Sequence, residues 1–452
     1  MTLSAPLAAL ILVSTLVAGV VLVNGVVQLV RRGEWNRDAT LGFVLATLVS
    51  SLIDVLVTFS NSWLTDRDAF DNIAYSFPAW AQVMQRGFFV QLLLASVFVF
   101  LVGVTRRRAR LNLPAVLFVL VAFVSDASAL LHGDNPVQPY YVVPAAVLVA
   151  TTVAPRGLPV VAGLATFCSV VACGSGLAAL LFPDFSLLPC GAAKCGLAGV
   201  NVRGVFDNEN ALALYLALAM PFVWLAFGRR AGTVLAGYFA LLVLLTGSRS
   251  GSLAALVTLM VLVVVRPDLR SPHFSRPRAA VLCLVVGGAV TAGLLLPLLV
   301  RDPSAFTSRG YLWTVARQQL ADPVSFLIGR GAFGWQHVRE SGLIDFSAVY
   351  SVHNQWLDIA YKAGAVGLSL ALGALVLLVV QAGRRYALVI GAVLVPVACL
   401  AATERPWAID YADWLVWALP ATLLCFPEGR RGREPEQPQG AALTSSSLQD
   451  AR

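Results

Sequence analysis

Charged side chains are scarce in this chain of 452 residues, since Asp, Glu, Lys and Arg make up 12% of it, against about 25% in a soluble domain. Apolar residues make up 58%, and the mean hydropathy is +0.79. Too little polar material remains to coat a water-facing surface, which excludes a soluble enzyme, a nucleic-acid-binding module and a disordered scaffold. The apolar runs are continuous rather than alternating, which excludes a transmembrane β-barrel. The composition therefore predicts an all-α, polytopic membrane protein.

Apolar stretches of roughly 17–25 residues predict the transmembrane helices. They lie at 5–30, 39–60, 84–104, 112–131, 138–155, 158–182, 210–227, 231–247, 251–265, 279–299, 355–381, 386–401 and 412–426. The first and third are the least well defined, so we expect about 12–14 transmembrane helices.

Arginine is unevenly distributed among the segments that connect these spans. The arginine-rich connections alternate along the chain: 31–38, 105–111, 156–157, 228–230, 266–278, 382–385 and the tail from 427. Cations concentrate in cytoplasmic loops, so these connections are predicted to be cytoplasmic and the N-terminus to be outside. Thirty Arg against two Lys is typical of a GC-rich bacterial genome. The net charge of +8 thus reflects membrane topology, and no nucleic-acid partner is expected.

The predicted topology divides the chain into five parts. Residues 1–182 form N-terminal transmembrane helices, and residues 183–299 form central ones with an outside loop that contains cysteine and arginine. Residues 300–354 form one large extracytoplasmic loop, in which helical spacing stops near Asp322-Pro323. Residues 355–426 form the C-terminal transmembrane helices, and 427–452 a disordered cytoplasmic tail.

Two cysteines lie in the outside loop, within CGAAKC. An oxidising compartment permits a disulfide between Cys190 and Cys195. A metal site is disfavoured, because no His or second Cys pair lies nearby. The other five cysteines lie in spans, where buried thiols are ordinary packing residues.

Three arginines, Arg203, Arg249 and Arg309, lie on the predicted outer side. Arginine is costly to place near a membrane and usually faces a cavity or a partner. Its planar guanidinium suits phosphate oxygens, and small residues on both sides of Arg249 would let an anionic headgroup approach the backbone. The alternative is that each arginine extends to the interface or pairs with an acidic residue. The acidic residues considered are Asp207, Glu209, Asp302 and Glu404.

His353 lies at the mouth of the span that follows the large loop. An imidazole can take a proton from a hydroxyl group at neutral pH, which makes it a candidate general base. Asn354 and Asp358 are close enough in sequence to help orient it. Taken alone, a histidine here is also compatible with a simple hydrogen-bonding role at the interface.

Four segments, in order, resemble the O-antigen ligase and polymerase family of bacterial envelope glycosyltransferases. They are RGVFDNENALALYLALAMP (203–221), LLTGSRSGSLAAL (244–256), SRGYLWTVARQQLADPVSFLIGRGAFGW (308–335) and VHNQWLDIAYKAGAVGL (352–368). The resemblance implies an all-helical membrane fold related to the C-type glycosyltransferases. It also implies transfer of a glycan from a polyprenyl-diphosphate carrier to an acceptor hydroxyl, outside the cytoplasmic membrane and without nucleotide sugar, metal or cofactor.

Matched by position, the resemblance implies that His353, Arg249 and Arg309 are catalytic. Substrate-binding roles are implied for a further set: Arg203, which is a weaker match, Asn210, Arg330, Asn354 and Trp313. Trp313 is equally compatible with anchoring at the membrane interface.

Three functions remain open from the sequence. The favoured one is ligation of a glycan to a distinct acceptor such as a glycan, lipid, wall polymer or protein, with inversion at the anomeric carbon. The second is a polymerase that joins carrier-linked repeats, and the third is transport of an anionic lipid or solute. Membrane lipid surrounds the protein in all three. The outside loops lack a paired-carboxylate motif for Mg²⁺, which fits a metal-independent reaction.

Overall fold

The computed structural model describes residues 3–46, 66–67, 73–74, 79–105, 111–137, 139–190, 194–197, 199–206, 208–342, 351–407, 409 and 415–427. The helices are α1 (Ala5–Arg31), α2 (Arg37–Ala46), α3 (Ala79–Thr105), α4 (Leu113–Leu131), α5 (Pro139–Thr151), α6 (Leu158–Leu181), α7 (Pro183–Ser186), α8 (Glu209–Leu245), α9 (Arg249–Val265), α10 (Arg276–Leu299), α11 (Ala305–Gln319), α12 (Pro323–Ile328), α13 (Gly334–Glu340), α14 (Gln355–Ala401) and α15 (Ala418–Leu424). Within the described part of the chain, 6 helices are long and apolar enough to cross a membrane. The predicted all-α, polytopic membrane fold is confirmed.

Two of the long helices reverse direction at a glycine, so each forms two antiparallel arms. In α8, Gly228 has φ +77°, and a Cβ placed on Gly232 would lie 2.7 Å from the Cα of Trp224. Eight residues of straight helix would separate these positions by about 12 Å. In α14 the backbone leaves helical geometry at Gly364, with φ +65°, and again at Gly383, with φ +55°. The carbonyl of Ala402 accepts from the side-chain amide of Asn354, so the arm after Gly383 returns to the start of the helix. The turns at Gly228 and Gly383 lie in arginine-bearing connections that the sequence predicted, 228–230 and 382–385.

One end of the helical bundle is held together by Arg270. Its Nη2 lies 2.6 Å from the Glu34 carboxylate and donates to the carbonyl oxygen of Ala226. The contacts bring together three arginine-rich connections, 31–38, 228–230 and 266–278. All three had been assigned to the same side of the membrane from their charge, and the structure places them at the same end.

Two predicted spans are only partly described. The span at 39–60 begins as α2 and then enters residues outside the described part of the chain, and the span at 412–426 contains α15. The number of crossings and the five-part division therefore stay predictions. The predicted disordered tail lies outside the described residues, apart from Pro427.

The predicted large outer loop contains three helices, α11, α12 and α13. The predicted stop at Asp322-Pro323 separates α11 from α12, and the Asp322 carboxylate caps α12 by accepting from the amide of Ser325 at 2.9 Å. A small core that includes Trp313, Trp335 and Tyr361 joins α11 and α13 to the start of α14. The segment is thus packed against the spans that carry the candidate residues.

Short antiparallel strands precede α8. Strand β1 (Asp66–Arg67) pairs with β2 (Ile73–Ala74), and strand β3 (Leu187–Pro189) pairs with β4 (Val200–Val202). In the second ladder Leu187 faces Val202 and Pro189 faces Val200. The β3–β4 connection carries the two outside cysteines, which form a disulfide with a Cα–Cα distance of 4.7 Å.

Candidate active site

The carboxylate of Glu404 contacts two of the residues that the sequence singled out, Arg309 and His353. One oxygen, Oε1, accepts from Arg309 Nη2 at 2.7 Å and from Ser250 Oγ at 3.1 Å. The other, Oε2, lies 3.5 Å from Nδ1 of His353. Four segments that are distant in sequence therefore meet at one side chain. We call Ser250, Arg309, His353 and Glu404 the outer cluster.

His353 is fixed by the residues on either side of it. The indole of Trp313 donates to the carbonyl of Val352 at 2.8 Å. Asn354 caps α14 by accepting from the amide of Leu357, and its own amide group donates to the carbonyls of Gly293 and Ala402 at 2.8 and 2.9 Å. Between these anchors His353 has φ +48°. Such a conformation costs a non-glycine residue about 1–3 kcal/mol and persists only where neighbours enforce it.

The ring of His353 remains accessible although its backbone is fixed. Its side chain is 37% exposed, whereas that of Glu404 is 10% exposed. With Nδ1 turned towards a carboxylate, the second ring nitrogen, Nε2, is the atom available to accept a proton from a ligand. The pair has the arrangement of a general base and its orienting acid, in the looser geometry common without substrate.

Arg309 is presented by an unusual backbone at the start of α11. Phe306, Thr307 and Ser308 have φ values of 54°, 59° and 66°, and the regular helix follows. Besides its bond to Glu404, the guanidinium donates to the carbonyl oxygen of Thr403. The alternative that an outer arginine pairs with an acidic residue therefore describes Arg309. Pairing does not remove it from the site, because the same carboxylate faces His353.

Arg249 is the first residue of α9 and is exposed. The Ser248 hydroxyl caps the helix by accepting from the amide of Gly251, and Gly247 has φ +72° in the preceding turn. The next residue, Ser250, contacts Glu404, so Arg249 lies beside the outer cluster. Cations and a helix N-terminus together favour an anionic ligand at this place.

The pKa of Glu404 lies below its ordinary value of 4.5. Burial alone raises this pKa, but the hydrogen bond with His353 and the charges of Arg309 and His353 outweigh that effect. Glu404 is therefore a carboxylate at neutral pH, as an orienting partner for an imidazole must be.

Two of the predicted substrate-binding residues are buried and hold the fold. Trp313 is 0% exposed, so its indole is not available to stack on a sugar, and it holds the segment before His353 through the carbonyl of Val352. Asn354 is also 0% exposed, and its amide is occupied by three backbone partners. The structure therefore places both directly beside the site as positioning residues.

The other three predicted substrate-binding residues lie apart from the outer cluster. Arg203 is 1% exposed, donates from Nε to the carbonyl of Phe185 at 2.5 Å and lies 4.6 Å from the centre of its ring. Asn210 accepts from the ammonium of Lys194 at 2.8 Å. Arg330 reaches the Ser325 hydroxyl at 3.4 Å.

Sequence reasoning named Glu404 only as a possible partner for an arginine and did not anticipate its contact with His353. Its neighbour Arg405 is also held, because Arg405 Nη1 and Lys362 Nζ lie 3.3 and 3.2 Å from the same oxygen of Asp358. The available signal in the sequence was a carboxylate next to an arginine, Glu404-Arg405, just after a predicted span. The buried ion-pair group fixes the turn that presents Glu404.

We expect Asn354→Ala to lower the free energy of unfolding by about 2–4 kcal/mol, because it removes a helix cap and leaves two buried carbonyls without their donor. The exposed Asn210→Ala is the matched control, with an expected change of about 0.5 kcal/mol. Thermal unfolding of both purified variants measures the difference. Equal unfolding temperatures would contradict the anchoring role of Asn354.

Comparison with known proteins gives one match. Residues 233–372 match the family model described as O-antigen ligase. The matched segment contains Arg249, Arg309 and His353, and Glu404 lies beyond its end. No curated protein and no solved structure matches the chain.

Proposed function

Since this chain belongs, through residues 233–372, to the O-antigen ligase family of glycan-transferring membrane enzymes, we propose that it moves a glycan from a polyprenyl-diphosphate carrier to an acceptor hydroxyl. The reaction takes place on the outer side of the cytoplasmic membrane. The observation that carries the proposal is the contact of His353 with a carboxylate that also binds Arg309.

In the proposed step, His353 acts as general base through Nε2. It takes the proton of the acceptor hydroxyl while that oxygen attacks the anomeric carbon of the donor. A carbon–oxygen bond forms, the bond between the anomeric carbon and the diphosphate oxygen breaks, and the configuration is inverted. The imidazolium that results is stabilised by Glu404, which lies 3.5 Å from Nδ1.

The leaving group is the carrier diphosphate, which departs as an anion. Arg249 supplies positive charge from an exposed position beside the outer cluster, where a lipid-linked diphosphate can reach it. Arg309 contributes a second cation whose position is fixed by Glu404 and Thr403. Cations held in place before the reaction stabilise the charge that develops as the diphosphate leaves.

The favoured acceptor is a molecule distinct from the carrier-linked glycan, which makes the protein a ligase. A polymerase would use the same base and arginines with a second carrier-linked repeat as acceptor. The product distinguishes the two, because polymerisation yields a ladder of carrier-linked lengths and ligation yields a glycosylated acceptor. Transport would leave the glycosidic bond to the carrier intact.

The test uses the full-length protein in lipid, supplied with polyprenyl-diphosphate glycan and membrane fractions from its own host. Release of carrier diphosphate and the mass of the glycosylated product are followed for the wild type and for His353→Ala. Release by the wild type alone supports the transferase. Movement of labelled donor across the bilayer without release would overturn it in favour of transport.

We expect Glu404→Gln to reduce turnover by about 10²-fold, because the base loses its orienting carboxylate and a small misplacement of a reacting group has an effect of this size. The measurement is turnover at neutral pH, with the thermal unfolding temperature checking that the protein is folded. Turnover within a factor of about three of the wild type would contradict this role for Glu404.

The same variant also tests the lowered pKa of Glu404. Between the lowered pKa and the ordinary value of 4.5, the folded protein binds fewer protons at this site than the unfolded chain. Stability from this group is therefore present above pH 4.5 and is lost as the pH falls through the lowered pKa. We expect the unfolding temperature of Glu404→Gln to fall less steeply in that acid range than that of the wild type. Parallel curves would contradict the prediction.

A further inference from the structure

The disulfide loop packs directly on the turn that carries Arg249. A Cβ placed on Gly247 would lie 2.8 Å from the amide nitrogen of Gly196 and 2.9 Å from the carbonyl carbon of Cys195. A Cβ placed on Gly196 would lie 2.4 Å from the carbonyl oxygen of Leu245. The two glycine-containing backbones are therefore in direct contact, and the side-chain oxygen of Asn201 packs against both, 2.6 Å from the same Cβ position on Gly247. Because these backbones are in contact, a shift of the Cys195–Gly196 segment would displace the turn at 246–248.

The loop is also attached at its other contacts. The amide of Gly196 donates to the side-chain oxygen of Asn201 at 2.8 Å, which ties the loop to strand β4. The ammonium of Lys194, one residue before the half-cystine, lies 2.7 Å from Glu209 and 2.8 Å from Asn210. The loop thus bridges the start of α8 and the turn that follows its far end.

The disulfide closes this bridge. It links the end of β3 to the residue that precedes Gly196, across a short loop whose sequence, GAAK, contains no large apolar side chain that could anchor it. A covalent link in such a segment limits the conformations available when local contacts open. Without the link, the described residues of the segment keep the contacts of Lys194 and Gly196 but lose the covalent closure.

We infer that the Cys190–Cys195 disulfide is a positioning element for Arg249, so that glycan transfer depends on the oxidised loop. The inference rests on the proposed function, because it assigns the effect to the arginine that meets the carrier diphosphate. It adds a group that is far from the reacting atoms and acts through Arg249. An enzyme whose site faces an oxidising compartment can rely on such a link.

The activity test compares the wild type before and after reduction with a phosphine, with free-thiol labelling to show that the disulfide has opened. We expect kcat/KM for the donor to fall by about tenfold or more, since displacement of a catalytic group by about 1 Å can reduce the rate 10²-fold. Cys190→Ser/Cys195→Ser should match the reduced wild type and not respond to the reductant. Cys283→Ser, which removes an exposed free thiol in α10, is the control and should keep the full response.

Dependence on Arg249 separates positioning from general stabilisation. In an Arg249→Lys background, reduction should lower kcat/KM by less than about threefold, because the group being positioned is already impaired. An equal loss in both backgrounds, or full activity after proven reduction, overturns the inference.

Amide hydrogen exchange tests the positioning role of the disulfide without relying on the measurement of glycan transfer. Reduction should accelerate exchange of the amides of residues 248–251 and leave those of residues 355–362 unchanged. Unchanged exchange at 248–251, or acceleration at both places, overturns the positioning role. If oxidised wild type shows no glycan transfer, the proposed function fails, and the exchange result still decides whether the disulfide holds the turn.

Discussion

Replacement of His353 by alanine is expected to reduce turnover by about 10²–10⁴-fold, the usual contribution of a general base. The acceptor hydroxyl would then have to lose its proton without a positioned partner, while donor binding through the arginines continues. Turnover should therefore fall much more than the KM for the donor rises. The measurement is steady-state release of carrier diphosphate by protein in lipid.

The control for this variant follows from the backbone of His353. Because φ is +48°, alanine is strained at this position, whereas asparagine tolerates the left-handed conformation better than most residues. His353→Asn should unfold at a temperature at or above that of His353→Ala and be equally inactive. If His353→Asn keeps turnover within a factor of about three of the wild type, the general-base role is wrong.

Arg249→Ala is expected to reduce kcat/KM by about 10²–10³-fold, as removal of one preorganised charge-stabilising contact does. Since Arg249 is exposed, the unfolding temperature should stay close to that of the wild type. The kcat/KM of Arg249→Lys should lie between that of the wild type and that of Arg249→Ala, because lysine keeps the charge and loses the planar, two-point contact with phosphate. An alanine variant with near-normal kcat/KM would remove Arg249 from the site.

Arg309→Ala is compared with Arg249→Ala, because loss of Arg309 should lower both the stability and the activity. Its loss removes the ion pair at 2.7 Å and leaves the buried Glu404 carboxylate with the longer contacts to Ser250 and His353, and a poorly compensated buried charge is costly. Replacing both residues, in Arg309→Ala/Glu404→Ala, should recover part of the stability and none of the activity. The unfolding temperatures would thereby distinguish Arg249, whose loss lowers activity alone, from Arg309, whose loss also destabilises the site.

Much of the fold was predictable because it depends on local properties of the chain. Apolar length gives the spans, and the turns at Gly228 and Gly383 fall in connections identified by their arginines alone. The match over residues 233–372 confirms the family resemblance that the motifs carried. These signals are all contained in short stretches of sequence.

Which residues of the site are exposed to a ligand and which only hold it in place was not predictable from short stretches of sequence. Glu404 meets Arg309 and Ser250 across 95 and 154 residues, and one sequence carries no measure of such distances. Trp313 and Asn354 have residue types suited to contact a sugar. Their burial is decided by distant backbone partners, Val352 for one and Gly293 and Ala402 for the other.

The hydrogen bond from Asn354 to the carbonyl of Ala402 makes the site depend on the order in which the chain is synthesised and inserted. A ribosome-bound chain that has exposed Arg249, Arg309 and His353 still lacks both the carbonyl that anchors Asn354 and the carboxylate of Glu404. These arrive only after the second arm of α14 has entered the membrane and brought its far end back beside its start. On the proposed function, glycan transfer therefore requires a chain that has been inserted beyond Glu404, and a chain that ends before this residue should hold Arg249, Arg309 and His353 without the carboxylate that orients them.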